Sequence, residues 1–368
     1  MLNRYLYKVQ LVNKIHKTIC KTVVYSYKVF SFVIMKSIRI AIVGATGLVG
    51  GTMLKIMEER TFPTTQLFPV ASEKSIGKYI KFNGVKIEII SVNTALSEKP
   101  DVAIFSAGGK VSQEWAPKFS EAGVTVIDNS SFWRMNERIK LVVPEVNGDC
   151  LTSRDMIIAN PNCTTMQLVM VLKPLHDKFK ILRGVVSTYQ SVTGTGQLAV
   201  SQMMEERSGI APSEMAYPHP IDKNCIPQCD TFQDNGYTRE EMKVHHETKK
   251  IMNDDSISLS CTAVRVPVMG GHGESVFLEF KFDYEMEEVR SLLASFPGVV
   301  IRDNPESNEY PMPINTQGKD EVFVGRLRRD LSNPRGLHFW IVSDNLRKGA
   351  ATNTIQIVEL LNSGGRWG

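Results

Sequence analysis

Asn160-Pro161-Asn162-Cys163-Thr164-Thr165 lies between a strand-like apolar run, Met156 to Ala159, and a helical apolar run, Met166 to Leu172. Pro161 stops the strand, and Cys163 falls in the first turn of the helix that follows. There the unpaired backbone N–H groups and the positive end of the helix dipole favour a thiolate over a thiol, which makes a nucleophile. A lone cysteine is more often a small, buried and inert side chain. The nucleophile reading of Cys163 therefore depends on what the rest of the chain brings to it.

Several side chains qualify as its companions, each with a bland alternative. Gln190 closes the strand-like run from Val185 and leads into Ser191-Val192-Thr193-Gly194-Thr195-Gly196, a loop suited to a substrate carbonyl and a cofactor, or simply a flexible turn. Glu247 and Lys250 share one face of a helical stretch from Lys243 to Met252. They form either an exposed ion pair or an anion and ammonium facing a zwitterionic substrate. Arg265 falls on the apolar face of the strand-like Ile257 to Val268, where a guanidinium needs a partner. His272 sits at the tip of Gly270-Gly271-His272-Gly273-Glu274, free to reach a substrate or merely exposed. Between these, Pro212 to Gln233 reads as a long loop or lid.

The elements that must position these groups are those of a doubly wound fold. Ile38 to Val43, the turn Gly44-Ala45-Thr46-Gly47-Leu48-Val49-Gly50 and a helical stretch from Thr52 make strand, glycine turn and helix, the phosphate-binding start of a Rossmann unit. Gly44 allows the tight turn, Gly47 lets backbone approach a pyrophosphate, and Gly50 lets helix and strand pack closely. Thr46 and the N–H groups of Gly47, Leu48 and Val49 face the phosphates. The next strand, Leu67 to Val70, ends in Ser72, Glu73, Lys74 and Ser75, where hydroxyls and a cation suit a 2′-phosphate, so NADP is favoured over NAD. Two further strands, Val102 to Phe105 and Val124 to Ile127, flank an amphipathic stretch from Gln113 to Glu121, and the alternation predicts a parallel sheet. Arg134 is the cation close to the carboxyl edge of that sheet, or else a solvated surface arginine. Near the end, Leu337 to Val342 is a strand and Ala350 to Leu361 a helix expected to return to the first domain.

The 368 residues divide accordingly: a basic leader at 1–34, an NADP-binding Rossmann domain at 35–162 plus 345–368, and an α+β catalytic and dimerisation domain at 163–344. The formal charge of +4 misleads, because the leader holds six Lys/Arg and no acid, leaving 37 basic against 39 acidic residues in the remainder. Nothing in that remainder calls for nucleic acid or an anionic membrane. The leader lacks a continuous apolar span, and Met35 opens a complete beginning for the fold, so residues 1–34 are a presequence or an upstream mis-start. The six cysteines suit a reducing compartment, the cytoplasm, and no Cys/His set has metal-ligand spacing.

Taken together, GATGLVG (44–50), SEKSIGK (72–78), DNSSFWRM (128–135), NPNCTT (160–165), YQSVTGTG (189–196), ETKK (247–250), RVPV (265–268), GGHGES (270–275) and SDNLRKGAATN (343–353) resemble aspartate-semialdehyde dehydrogenases of the bacterial type, from Met35 to about Leu361. The resemblance implies that Cys163 forms an acyl thioester, that His272 is the acid/base and that Gln190 orients the substrate beside Asn162. It implies that Arg265 takes the α-carboxylate and Glu247 the α-ammonium, with Arg134 and Lys250 on the phosphate. Thr193, Gly194 and Asn345 would lie on the nicotinamide side. Lys74 departs from the family's arginine, keeping the charge but losing bidentate geometry. The implied reaction is NADPH-dependent reductive dephosphorylation of L-4-aspartyl phosphate to L-aspartate 4-semialdehyde, in lysine/diaminopimelate, threonine and methionine biosynthesis. An N-acetyl-glutamyl-phosphate reductase would leave Glu247 no ammonium to pair with. A glyceraldehyde-phosphate dehydrogenase lacks the flanking motifs, and a silent scaffold would lack Cys163 or His272. The broad second-domain sheet predicts a homodimer or a tetramer built from dimers.

Overall fold

Alternating strands and helices in the first half make a parallel sheet in the computed structural model, which describes residues 35–367. The leader therefore lies outside the described residues. The strands are β1 (Ile38–Val43), β2 (Thr64–Val70), the hairpin β3 (Tyr79–Phe82) and β4 (Val85–Glu88), β5 (Val102–Phe105), β6 (Thr125–Asp128), β7 (Lys140–Leu141) and β8 (Ile157–Ala159). The main sheet runs β2-β1-β5-β6-β8-β7 with every neighbour parallel. The side chains of β5 and β6 are buried on both faces, as parallel strands under helices are, which is why they read as unbroken apolar runs.

Among the described residues there are seven longer helices: α1 (Leu48–Glu59), α2 (Gly109–Glu121), α3 (Cys163–Phe179), α4 (Gln197–Arg207), α5 (Arg239–Met252), α6 (Met286–Ser295) and α7 (Thr352–Ser363). One face of the first sheet packs on α1 and α7 through Met53, Ile56, Ile355 and Val358, so the last helix does return to the first sheet. The opposite face packs on α2, where Phe105 and Phe119 meet edge to face. The helix expected from Ala350 begins at Thr352, after a wide π-type turn over Arg347–Ala351.

The second sheet is mixed. It runs β10 (Ser258–Arg265), β9 (Ile181–Gln190), β11 (His272–Phe280), β14 (Gly336–Ser343), β13 (Val322–Arg329) and β12 (Val299–Ile301). The faces of Val186, Val276, Leu278 and Phe280 are buried against α3, α5 and α6, while Tyr189 and Trp340, with rings 5.4 Å apart, lie on the other face. Both sheets belong to one compact unit from Ser37 onward. The fold is thus a Rossmann-type parallel sheet joined to a second α/β layer built on a mixed sheet, as the sequence predicts.

The stretch from Pro212 to Gln233 is irregular, as expected, but it is a fixed strap. Tyr217, Ile221 and Ile226 are buried in a small core with Val192, Ala199 and Met203. The Gln202 side chain accepts from the N–H groups of Ala216 and Tyr217, and Glu206 from those of Ile221 and Asp222. Backbone groups in irregular segments need such partners once buried.

Candidate active site

The first β-strand turns into α1 through two close approaches. Gly44 has φ +96°, and a Cβ there would stand 2.4 Å from the Ser106 carbonyl oxygen. A Cβ on Gly50 would stand 2.2 Å from the Gly44 carbonyl oxygen, so the helix can lie against the turn only with glycine at this position. Gly47 differs, since its nearest neighbour would be 3.4 Å away, an ordinary contact. The cleft above this turn is lined by Gly44, Thr46 and Gly47, by Ser72 and Lys74 after β2, and by Ser106 and Ala107 after β5. Leu48 opens α1, where its N–H is among those without an intrahelical partner. Ser75 is outside the lining of this cleft, and Val49 lines a second cavity next to it.

That second cavity, about 290 Å³, holds Cys163. Ser106 lines both spaces. Asn162 caps α3: its Oδ1 accepts from the N–H groups of Thr164 and Thr165 at 3.1 and 3.3 Å and from the Thr164 hydroxyl. Cys163 is thereby the first residue of the helix. The π-type turn presses on it from the side, with a Cβ on Gly349 only 3.1 Å from that of Cys163. That turn is pinned by Arg347, bonded to Glu59 and Asp320, and by the fully buried Lys348, whose Nζ donates to Glu145, Asn353 and Gln356. Asn353 in turn donates to Asn160, and Asn160 to Asn129, so buried amides lock the residues just before Cys163.

Cys163 is half-buried in the cavity wall, where the expected stabilisation of a thiolate by the helix end is opposed. Burial, then the neighbouring Glu240 carboxylate, push the Cys163 thiol up to about 12, against the pull of Arg265, Arg134 and Lys243. Desolvation outweighs the helix end here. His272 also departs from expectation, since it is the first residue of β11 and fully buried rather than free at a loop tip. Its Nδ1 accepts from the Ser191 N–H at 3.0 Å, which places the proton of the neutral ring on Nε2. Nε2 has no partner and faces Gly194, where a Cβ would be 3.0 Å away. Burial, then Arg265, push the ring down to about 3, so it is neutral and offers an N–H.

The charged residues of the cavity come from separate elements. Arg265 ends β10, donates to the Ser191 carbonyl at 2.7 Å and stacks 5.8 Å above the Tyr217 ring. Its Nε is unpartnered, and among the described residues it forms no ion pair. Arg134 lines the cavity too, buried rather than solvated, bonded to Glu247 and to the Asn129 carbonyl. Gln190 reaches Glu240 at 3.2 Å, and Thr193 donates to Asn345 at 2.9 Å; with Gly194 all of these line the cavity.

Two expected substrate contacts are displaced. Glu247 is buried away from the cavity, with its oxygens taken by Arg134 and by the Asn162 N–H, and Lys250 is spent on the carbonyls of Arg134 and Asn136. The residues that line the cavity from the same helix are Glu240 and Lys243, one heptad earlier. Seven residues along a helix return almost to the same face but about 10 Å further down its axis, so spacing cannot distinguish the pairs. Glu240 is ionised, its carboxyl held at about 2: burial opposes this, and Lys243, Asn162 and Arg265 overcome it. The signal that marks it is the start of α5, where Thr238 and Glu241 form a capping box immediately beside it.

Comparison with known proteins now decides the family. Residues 39–153 match the family model "Semialdehyde dehydrogenase, NAD binding domain", and residues 172–348 match "Semialdehyde dehydrogenase, dimerisation domain". The aspartate-semialdehyde dehydrogenase of Aquifex aeolicus is 50% identical over 331 residues, 88% of this chain and 97% of that one. The Bacillus subtilis enzyme of the same name is 44% identical over 338 residues, 89% and 98% of the two chains. The chain belongs to the aspartate-semialdehyde dehydrogenase family. It is a phosphorylating oxidoreductase of that family, and the fold agrees: Vibrio cholerae aspartate semialdehyde dehydrogenase II, solved in complex with ASA, superposes with TM-score 0.84 at 44% identity, covering 88% of this chain and 98% of that one. No helix among the described residues is long and apolar enough to cross a membrane, and no His/Cys/Asp/Glu group among them could hold a metal ion.

Proposed function

We propose that the chain reduces L-4-aspartyl phosphate with NADPH to L-aspartate 4-semialdehyde, releasing phosphate, through a thioester on Cys163. The observation that carries this reading is a cysteine at a helix start in a cavity ringed by Arg134, Lys243 and Arg265, with Ser106 lining both that cavity and the glycine-turn cleft. NADP would lie along Gly44, Thr46 and Gly47, its 2′-phosphate near Ser72, Lys74 and Ser75 and its nicotinamide toward Thr193, Gly194 and Asn345. Arg265, lacking a carboxylate partner among the described residues, takes the α-carboxylate, and ionised Glu240 takes the α-ammonium. Arg134 and Lys243 hold the phosphate.

The thiol, protonated at rest, passes its proton to the phosphate it displaces, and the three cations around it favour the thiolate that forms. The thiolate attacks the acyl carbon and phosphate leaves. Hydride then reduces the thioester, and the resulting oxyanion collapses to aldehyde and thiolate. The Nε2–H of neutral His272 serves both tetrahedral oxyanions as a donor, and Gln190 orients the carbonyl; such a donor contributes roughly 10² to 10³ in rate. The domains at 35–162 plus 345–368 and at 163–344 divide cofactor from substrate work, in the cytoplasm, within lysine, threonine and methionine biosynthesis. The outer face of the second sheet, with Tyr189 and Trp340, pairs two copies into a homodimer, alone or within a tetramer. The test is oxidation of aspartate semialdehyde with NADP and phosphate by wild type and Cys163→Ala: loss of turnover in the variant is expected, and equal rates would remove the covalent route.

A further inference from the structure

Helix α5 carries two Glu/Lys pairs of identical spacing, and only Glu240/Lys243 faces the cavity. Glu247, 1% exposed, uses one oxygen to accept from the Arg134 Nη1 at 3.1 Å and the other to accept from the Asn162 N–H at 2.7 Å. One carboxylate thus ties the cavity arginine to the residue that caps the helix of Cys163. Lys250, one turn further on, donates to the Arg134 and Asn136 carbonyls at 2.7 Å each, holding the backbone from which that arginine extends. The Arg134 Nε is buried and has no partner.

We propose that Glu247 and Lys250 are positioning residues: they fix the Arg134 guanidinium relative to Cys163, and through it they set phosphate affinity without touching the substrate. A free arginine side chain explores many rotamers, and holding its planar fork by a carboxylate removes that freedom before the ligand arrives. The inference rests on the reading of Arg134 as a phosphate residue.

A plain counter-charge would act with the opposite sign. Neutralising it would leave Arg134 with a stronger field and tighten phosphate binding. Loss of a positioning contact weakens it. In Glu247→Gln the amide has one acceptor for two donors, so either Arg134 or the Asn162 N–H is left facing an NH₂.

The experiment is steady-state oxidation of aspartate semialdehyde by the full chain, with KM measured separately for inorganic phosphate, aldehyde and NADP. For Glu247→Gln and for Glu247→Asp, which keeps the charge but shortens the reach, phosphate KM should rise about tenfold or more while the other two KM values move less than about twofold. For Lys250→Met, at a partly exposed site where folding is safe, the same selective rise should be about three- to fivefold. Arg134→Lys is the control. If it leaves phosphate KM unchanged, the assignment of Arg134 itself fails. If it raises phosphate KM while Glu247→Gln lowers it or leaves it alone, the positioning role is overturned and the phosphate reading stands. Should Glu247→Gln not fold, an unchanged phosphate KM in Lys250→Met overturns the proposal and a selective rise supports it.

Discussion

The glycine-turn cleft and the Cys163 cavity meet at Ser106 yet are built by opposite means. The floor of the cleft is main chain and small residues at the ends of the neighbouring strands β1, β2 and β5, and its turn is dictated by two positions where a Cβ has no room. The cavity is made of long charged side chains from β10, α5 and the segment after β6, and Arg134, Glu240 and Arg265 are each held by a partner far away in sequence. A site drawn in backbone is written locally. A site drawn in cross-paired side chains is distributed along the chain, and each member is only as well placed as its neighbour.

The two halves of this contrast can be broken separately. Cys163→Ala should lower aldehyde oxidation roughly 10⁴-fold or more, as loss of a covalent nucleophile does, while NADP titrated by fluorescence still binds. Loss of NADP binding as well would mean that the two spaces are one site. Glu240→Gln removes the ionised carboxylate held at about 2. It should reduce kcat/KM for aspartate semialdehyde by about 100-fold, the scale of losing a charge-assisted contact, with the NADP KM unchanged. If kcat/KM survives, the substrate's ammonium is bound elsewhere.

On the backbone side, Gly50→Ala would push a Cβ to 2.2 Å from the Gly44 carbonyl oxygen and should destabilise the protein by about 1–3 kcal/mol in denaturant melts. Gly47→Ala should leave the melt nearly unchanged, since its Cβ finds 3.4 Å, and weaken NADP instead. Equal melting losses for both would show that the turn, and not the ligand, requires Gly47. The smallest effect is expected for Lys74→Ala, a loss of NADP over NAD preference of about tenfold in the ratio of kcat/KM values.

The core of the second sheet offers one further test, of stability rather than catalysis. Glu274 is wholly buried, and burial, only partly offset by the neighbouring Gln167 side chain, raises its carboxyl from an ordinary 4.5 to about 8. A carboxyl whose folded pKa is raised keeps a proton that the unfolded chain releases, so its contribution is full below pH 4.5 and lost as pH rises through about 8. Glu274→Gln should flatten the fall in Tm across that window. An unchanged slope would show that the carboxyl is already hydrated.

How much was legible follows the same division. Gly44, Gly47 and Gly50 declared the turn, and Pro161 with Asn162 declared the start of the Cys163 helix, because stops and caps are local chemistry. Spacing and charge mark Glu247 and Lys250, but Glu240 and Lys243 share both, and only the third dimension tells which end of α5 reaches the cavity. His272 was flanked by glycines that suggested a loop, whereas pairing of Gly273 with Val342 and Tyr189 draws it into a strand. The raised thiol was hidden for a different reason: burial is a property of the packed whole, and no stretch of residues announces it.

Asn345, Leu346, Gly349 and Ala350 form one wall of the Cys163 cavity, and Gly349 abuts the cysteine itself. Those residues leave the ribosome almost two hundred positions after the cysteine they enclose. A growing chain therefore has no finished pocket around its sulfur until residues 345–350 are added, and the helix α7 that follows them also completes one face of the first sheet.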